Sequence, residues 1–217
     1  MRGSLAAAAA LALALLTGAV PAAAVPPQPQ NLAVQGAESW HPESDFTLTM
    51  TIADYTGLAA TGYRIRDSEG EAVREGRLRR VATDISVPVP EYPDVYSAEV
   101  WFLDREGNAG PAATARPLRF DNRRPSPVEP EPLPRWIGRN AFPLRVRIGH
   151  PAEIPLSRIR GYAVSVGDRS DASPCAASDV CTVAETTLPG GLGDDVFEIP
   201  SLPEGTSYLS ALAVSGS

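Results

Sequence analysis

The chain has 217 residues and a formal net charge of −7, and all 19 of its basic residues are arginine. An acidic surface repels phosphates, which argues against nucleic acid or an anionic membrane as a partner. The 22 prolines are about twice the usual share of roughly 5%. Because proline inside a helix costs about 3 kcal/mol, the composition favours short strands and turns over helices.

The first 24 residues have the layout of a secretory signal. An apolar run that Pro21 closes follows Arg2, and small residues precede the expected cleavage before Val25. The run is short for a membrane span, which needs about 20 apolar residues. We therefore expect residues 1–24 to be a signal peptide. The protein is then secreted or held at the cell surface, with no stable membrane insertion of the mature chain.

Three strand patterns follow in chain order. The segment DFTLTMTIAD (45–54) alternates apolar residues with threonines. A period of two with β-branched residues predicts a strand with one buried face. A Gly-Tyr pair opens an alternating strand within TGYRIRD (61–67), and a proline-acidic turn leads to Tyr96 and the strand of YPDVYSAEVWFLD (92–104).

The same three patterns recur later in the chain. AFPLRVRIGH (141–150) repeats the first pattern and RGYAVSVGD (160–168) the second. LPEGTSYLSALAVSGS (202–217) repeats the third, with Tyr208 in the place of Tyr96. A pattern that occurs twice predicts a tandem array of two domains.

The domain boundaries follow from the repeat and from proline. We expect the first domain over residues 25–120 and the second over residues 136–217. Between them, residues 121–135 carry five prolines at alternating or near-alternating positions, which favours extended polyproline geometry and a semi-rigid linker. Part of this linker can also serve as the first edge strand of the second domain.

Several of these segments resemble a known family. PPQPQNLAVQG, GYAVSV and LPEGTSYLSALAV resemble parts of a fibronectin type III domain, and VWFLDREGNAGP followed by RFDNRRP resembles the last hairpin of bacterial immunoglobulin-like repeats. The resemblance implies an all-β chain of two tandem antiparallel β-sandwiches from an exported bacterial protein. It also implies tyrosine corners at Tyr96 and Tyr208, in which the ring hydroxyl bonds to backbone upstream.

The two domains end differently. The first continues from Tyr96 to Asp121, which supplies a final hairpin strand, whereas the sequence printed after Tyr208 is too short for one. Folded proteins normally avoid an unpaired strand edge. We therefore expect a second sandwich without its last strand and a chain that is a fragment of a longer protein. A donor strand from another molecule is the alternative.

Both cysteines lie in a stretch of the second domain, SPCAASDVCTV, that the first domain lacks. In an exported chain, Cys175 and Cys181 are expected to form a local disulfide. So small a loop contributes about 2 kcal/mol. A redox pair usually has two intervening residues, and a metal site needs further ligands that are missing here.

No recognisable catalytic or cofactor motif appears. His41 and His150 both precede prolines and are interpreted as turn residues. There is no nucleophile elbow, and PGGLGDD (189–195) lacks the lysine of a phosphate-binding loop. The acidic residues of the second domain could bind calcium, but their spacing matches no known loop, and a solvated surface is the favoured interpretation.

The segment WFLDREGNAG (101–110) places Asp104, Glu106 and Asn108 at alternate positions, as a calcium loop does. Such a loop needs glycine at its sixth position, where this chain has Ala109. We therefore interpret the segment as a turn between two strands. No catalytic, cofactor or metal residue is expected in the chain.

Trp101 is the main candidate for a contact surface. Alternation from Tyr96 places it on the outer face of its strand, where it could stack on a sugar ring or lie in an interface, or be covered by a loop. The leading hypothesis is a non-catalytic, exported spacer or adhesion protein that contacts a protein or glycan at the cell surface. The alternative is a set of accessory modules, with carbohydrate binding among their roles, of a secreted hydrolase whose catalytic domain lies beyond residue 217.

Overall fold

The computed structural model describes residues 25–171, 173–175, 187–189 and 196–217. These residues form β-strands, one short 3-10 turn (Arg139–Ala141) and loops. The strands are β1 (Gln30–Val34), β2 (Asp45–Thr51), β3 (Leu58–Arg66), β4 (Ala72–Leu78), β5 (Asp84–Pro88), β6 (Asp94–Asp104), β7 (Ala113–Phe120), β8 (Leu144–Arg147), β9 (Ile159–Gly167), β10 (Thr187–Pro189), β11 (Val196–Ile199) and β12 (Tyr208–Ser215). The all-β prediction is confirmed.

Strands β1 to β7 form the first sandwich. One sheet has the order β1-β2-β5 and the other the order β4-β3-β6-β7, and every pair is antiparallel. Antiparallel sheets that pack face to face bury one side of each strand. The core between them includes Phe46, Leu48, Tyr63, Ile65, Tyr96, Val100 and Phe102.

The alternation of the sequence explains this core. In β2 the apolar residues Phe46, Leu48 and Met50 are buried, while the first and last threonines of the strand face solvent. A side-chain period of two turns one set toward the opposite sheet and leaves the other in water. The strand predictions for the first domain are therefore confirmed.

Strands β8 to β12 form the second sandwich, which has a smaller described core. Its sheets have the orders β11-β8 and β10-β9-β12. The core contains Val128, Ile148, Ile159, Tyr162 and Val164, with partly buried side chains packed against it. In the part of the chain that the structure describes, β12 pairs only with β9.

Part of the proline-rich segment 121–135 packs with the second sandwich. Val128 is buried in its core, and the backbone N–H of Glu131 donates to the carbonyl of Arg147 at the end of β8. The middle of this segment thus occupies the position that β1 has beside β2. The remaining domain boundaries stay predictions, and residues 1–24 lie outside the described residues.

The register of β12 corrects the predicted equivalence of Tyr208 with Tyr96. In the first sandwich Tyr63 lies opposite Val100, and in the second sandwich its counterpart Tyr162 lies opposite Ala213. Tyr96 lies four positions before Val100, and the residue four positions before Ala213 is Leu209. Leu209 is therefore the structural equivalent of Tyr96.

Burial agrees with this register. Leu209, Ala211 and Ala213 pack against the second core, whereas Tyr208 is 41% exposed. A shift of one residue moves every side chain of a strand to the opposite face. The sequence comparison aligned two tyrosines by type, and that alignment was wrong by one position.

Candidate functional site

The outer face of the β4-β3-β6-β7 sheet carries the surface that the sequence singled out. We call it the outer-face ladder, and it consists of Arg64, Arg66, Glu75, Glu99 and Trp101. The pairing of β3 with β6 sets Gly62 opposite Trp101 and Arg64 opposite Glu99. The residues of β3 and β6 point away from the core because they alternate with the buried residues of the same two strands, and Glu75 lies opposite Arg64 on β4.

Ion pairs hold the arginines of the outer-face ladder in place. Arg66 Nε donates to Glu99 Oε1 at 2.8 Å and its Nη2 to Glu99 Oε2 at 3.3 Å. Arg64 Nη1 lies 3.4 Å from Glu99 Oε2, and Arg64 Nη2 lies 3.2 Å from Glu75 Oε1. The hydrogen bond from Arg66 lowers the pKa of the Glu99 carboxyl, and Glu99 in turn raises the pKa of the Arg66 guanidinium. Both groups stay ionised at neutral pH.

Trp101 is half-buried because its own sheet partly covers it. A Cβ on Gly62 would collide with the indole ring, so the ring lies directly against the Gly62 backbone. The Arg64 guanidinium carbon lies 5.6 Å from the centre of the ring, within the range of a cation–π contact. Trp101 therefore lies on the predicted outer face, and what it contacts outside the chain stays a prediction.

Tyr96 makes the bond that a tyrosine corner requires. Its ring is buried, and its hydroxyl donates to the carbonyl of Tyr92 at 2.6 Å. Burial raises the pKa of the Tyr96 hydroxyl above its usual value, and the neighbouring Tyr92 acts in the same direction. The hydroxyl of Tyr208 has no hydrogen-bond partner among the described residues, and its position does not match that of Tyr96.

The segment WFLDREGNAG is a turn between β6 and β7. The Asp104 carboxylate accepts hydrogen bonds from the backbone N–H and the side-chain amide of Asn108, both at 2.8 Å. These bonds lower the pKa of the Asp104 carboxyl, the side-chain bond most strongly. Gly107 has a φ of 91°, a value that favours glycine. The turn interpretation agrees with this geometry.

The structure describes one of the two cysteines, Cys175. Cys175 is not a free thiol, whereas Cys181 lies outside the described residues. The disulfide between them therefore stays a prediction. Within the described ranges, no group of three or more His, Cys, Asp or Glu side chains could hold a metal ion, and no helix is long and apolar enough to cross a membrane.

A buried hydrogen bond connects the two sandwiches. Asp121 directly follows β7 and is fully buried. Its carboxylate accepts the backbone N–H of Ser157, in the second sandwich, at 2.6 Å and that of Arg123 at 3.1 Å. The Asp121 backbone N–H donates to the carbonyl of His41 in the first sandwich. We call the contact of Asp121 with Ser157 the joint.

A groove opens at the end of the second sandwich where β12 begins. We call it the end groove; its volume is about 700 Å³, and its lining includes Trp136, Phe142, Val166 and Leu209. Trp136 is 85% exposed. An exposed apolar surface of this kind is unusual on a folded domain and indicates a place of contact.

Sequence reasoning missed both the joint and the end groove. The joint pairs Asp121 with the backbone of Ser157, which lies 36 positions away, and backbone partners leave no signal in residue types. The end groove combines Trp136 with strands β9 and β12, which only the fold brings together. The tryptophan before the second repeat was the one available signal.

Three solved structures illustrate what the chain is similar to. Two fibronectin type III domains of chicken tenascin match 87% of this chain and 91% of that chain, at 11% identity and a TM-score of 0.40. The FN1–FN3 segment of chicken contactin matches 88% of this chain and 61% of that chain, at 14% identity and a TM-score of 0.42. A titin module from human cardiac muscle matches 44% of this chain and 91% of that chain, at 15% identity and a TM-score of 0.36.

No family model and no curated protein matches the chain. The fold itself is established by the strand orders described above, which are those of tandem fibronectin type III-like or immunoglobulin-like sandwiches.

Proposed function

We propose that the chain is a non-catalytic, exported modular protein whose two sandwiches act as spacer and adhesion units. The observation that carries this proposal is the joint. A spacer must hold its modules at a defined distance and angle, and the buried bond from Ser157 to the Asp121 carboxylate resists their separation. A hydrogen bond to a charged group contributes about 1.5–3 kcal/mol.

The proline-rich segment supports the same function. Since Val128 packs in the second core and Ser126 accepts a backbone hydrogen bond from Glu153 with its side chain, the segment is attached to the second sandwich along part of its length. Fewer residues are then left to act as a free connection, and a short connection restricts the angles that two domains can sample.

Small-angle X-ray scattering tests the spacer function. We expect the parent chain to scatter as one extended arrangement and Asp121→Ala to scatter as a mixture of arrangements, because the Ser157 N–H then loses its acceptor. Asp121→Asn keeps one acceptor oxygen for the Ser157 N–H but loses the acceptor of the Arg123 N–H, so its scattering should be closer to that of the parent than the scattering of Asp121→Ala is.

Ser157→Ala is the matched control. The Ser157 hydroxyl is buried without a partner among the described residues, so the joint uses only the backbone of this residue. We expect its scattering to be unchanged. Equal scattering from the parent and from Asp121→Ala, with both sandwiches folded, would show that the joint does not set the spacing and would refute the proposal.

The second candidate is a carbohydrate-binding accessory module that belongs to a secreted hydrolase. The half-buried ring of Trp101 beside Arg64 supports it, because aromatic rings stack on sugars. A glycan array with the parent chain and Trp101→Ala tests it. Saturable binding that the variant loses would favour this candidate, and no binding by the parent would dismiss it.

A further inference from the structure

Trp101 belongs to a row of three residues that crosses the outer face of the first sandwich. Trp101 on β6 lies opposite Gly62 on β3, and Gly62 lies opposite Arg77 on β4. The indole covers Gly62, because a Cβ at this glycine would collide with Cε2 and Nε1 of the ring. Neighbouring strands are about 4.8 Å apart, so the backbone of Arg77 lies roughly 10 Å from that of Trp101, beyond the covered glycine. We call these three residues the tryptophan row.

The second sandwich has the same row with different residues. Val214 on β12 lies opposite Gly161 on β9, and Gly161 lies opposite Pro189 on β10. The register that makes Tyr162 the counterpart of Tyr63 also makes these three residues the counterparts of the tryptophan row. The glycine is common to both sandwiches, whereas the tryptophan and the arginine are not. The sandwich fold therefore requires neither of them, and a role in binding explains their presence in the first domain alone.

Arg77 is a cation without a paired carboxylate in the described part of the chain. The two glutamates of the outer-face ladder, Glu75 and Glu99, form ion pairs with Arg64 and Arg66. Arg77 is exposed and takes part in none of these pairs. Its guanidinium is therefore available to an anion from outside the chain, whereas the ladder arginines already have their carboxylates.

The turn after β4 adds two more exposed arginines on the same side of the indole. Arg79 and Arg80 are both exposed and have no ion pair among the described residues. The hydroxyl of Thr61 donates to the carbonyl of Arg80 at 3.0 Å, which holds this turn beside β3 next to the tryptophan row. Three unpaired positive charges thus lie within four positions of the chain, beside a half-buried aromatic ring.

The surroundings of the tryptophan row favour a sugar over a protein or a polyanion. The neighbouring row, Glu99 opposite Arg64 and Arg64 opposite Glu75, is charged throughout. A protein interface has a centre from which charged residues are depleted, whereas a sugar ring needs one flat aromatic ring with polar groups around it. A long polyanion would be repelled by the net charge of −7. A short glycan with a single carboxylate meets chiefly the local arginines, because the charges farther away are screened.

We propose that the tryptophan row binds a uronic acid, a sugar that carries a carboxylate, within a glycan. The apolar face of the sugar ring stacks on the Trp101 indole. The carboxylate accepts two hydrogen bonds from the Arg77 guanidinium, whose planar fork matches a carboxylate. Arg79 and Arg80 add attraction without fixed contacts. This inference rests on the second candidate function, carbohydrate binding, and names the class of sugar that the same site takes.

The probes are pairs of short oligosaccharides that differ only in one carboxylate. One member of each pair ends in glucuronate or galacturonate, the other ends in glucose or galactose, and each carries a fluorescent label at its reducing end. We expect the full chain to bind the uronate probes saturably in fluorescence anisotropy and the neutral probes about tenfold more weakly or worse, as for the loss of a charge-assisted hydrogen bond. Added salt should weaken the binding of the uronate probes alone.

Four variants locate the site. Arg77→Ala should weaken the binding of the uronate probes about tenfold or more and leave the neutral probes unchanged. Arg77→Lys keeps the charge without the fork and should keep part of the preference. Trp101→Ala should weaken both kinds of probe about fivefold or more, with amide hydrogen exchange in β3 and β6 as the check that the sandwich is folded. Arg116→Ala is the control, because Arg116 is an exposed arginine of β7 on the same sheet but outside the tryptophan row.

Three outcomes would overturn the proposal. Equal binding of the uronate and neutral probes would refute the carboxylate and leave carbohydrate binding standing. Equal effects of Arg77→Ala and Arg116→Ala would place the site elsewhere. A single-stranded oligonucleotide that binds more tightly than the uronate probes would make the ligand a polyanion. If the parent binds no glycan on the array, the second candidate function fails as well, and the spacer function, which the scattering of the joint variants tests, is unaffected.

Discussion

Removal of one oxygen atom tests the tyrosine corner and the corrected register together. Tyr96→Phe deletes the hydroxyl that donates to the Tyr92 carbonyl at 2.6 Å and keeps the buried ring. No cavity the size of a ring forms, so the loss is that of one buried hydrogen bond, about 1–2 kcal/mol of unfolding free energy. Tyr208→Phe removes a hydroxyl without a described partner from an exposed ring, and it should change stability by less than about 0.5 kcal/mol.

The corrected equivalence also makes a prediction for the second sandwich. Leu209 packs against the second core in the place that Tyr96 has in the first. Since it is only partly buried, Leu209→Ala should cost about 2 kcal/mol, the low end of the range for buried leucines. Tyr208, its neighbour in the chain, should be far more tolerant of the same truncation.

Alkaline pH gives Tyr96 a second, independent signature. Its pKa is raised in the folded state, chiefly by burial, so it keeps its proton when folded and can ionise on unfolding. Its contribution to stability is complete below the unfolded pKa of about 10 and falls as the pH rises beyond it. Tyr96→Phe lacks this group, so the difference in stability between parent and variant should shrink above about pH 10.

The assay must resolve the two sandwiches, since two domains need not unfold together. Urea unfolding followed by amide hydrogen exchange assigns each loss of stability to the peptides of one sandwich. If Tyr208→Phe costs as much as Tyr96→Phe, or if Leu209→Ala costs nothing, the register argument is refuted.

Three further predictions concern other features of the chain. Gly62→Val should displace the Trp101 indole, which lowers the free energy of unfolding by about 1–3 kcal/mol and changes tryptophan fluorescence. Gly167→Val is the control, because a Cβ on Gly167 meets no atom within 4 Å, and it should change neither quantity. Asp104→Ala should destabilise the chain more at pH 7 than near pH 3. The lowered pKa of Asp104 means that its contribution is present above the unfolded value and is lost as the pH falls; an equal urea midpoint shift at both pH values would contradict this. Cys175→Ser should lower stability by about 2 kcal/mol, and non-reducing mass spectrometry of the parent should find a bridged pair; a free thiol would exclude the disulfide.

Local sequence determined the strands and the first core. The alternation in 45–54 and the Gly-Tyr pair at residue 63 each describe one strand, and a period of two is visible without knowing the partner strand. The same holds for the outer position of Trp101 and for the turn after Asp104, because both follow from neighbours along the chain. The tandem arrangement also followed from the repeat.

Tertiary structure alone decided what depends on pairing between distant segments. Because both residues are tyrosines, the sequence comparison aligned Tyr208 with Tyr96. The register of β12 against β9 shows instead that Leu209 is the structural equivalent of Tyr96. Composition left residues 121–135 either a linker or in part an edge strand, and the structure decides for the second in the middle of the segment, since Val128 is buried in the second core. The contact of Asp121 with Ser157 and the end groove arise in the same way: each joins atoms of segments far apart in the chain, and only the folded backbone brings them within bonding distance.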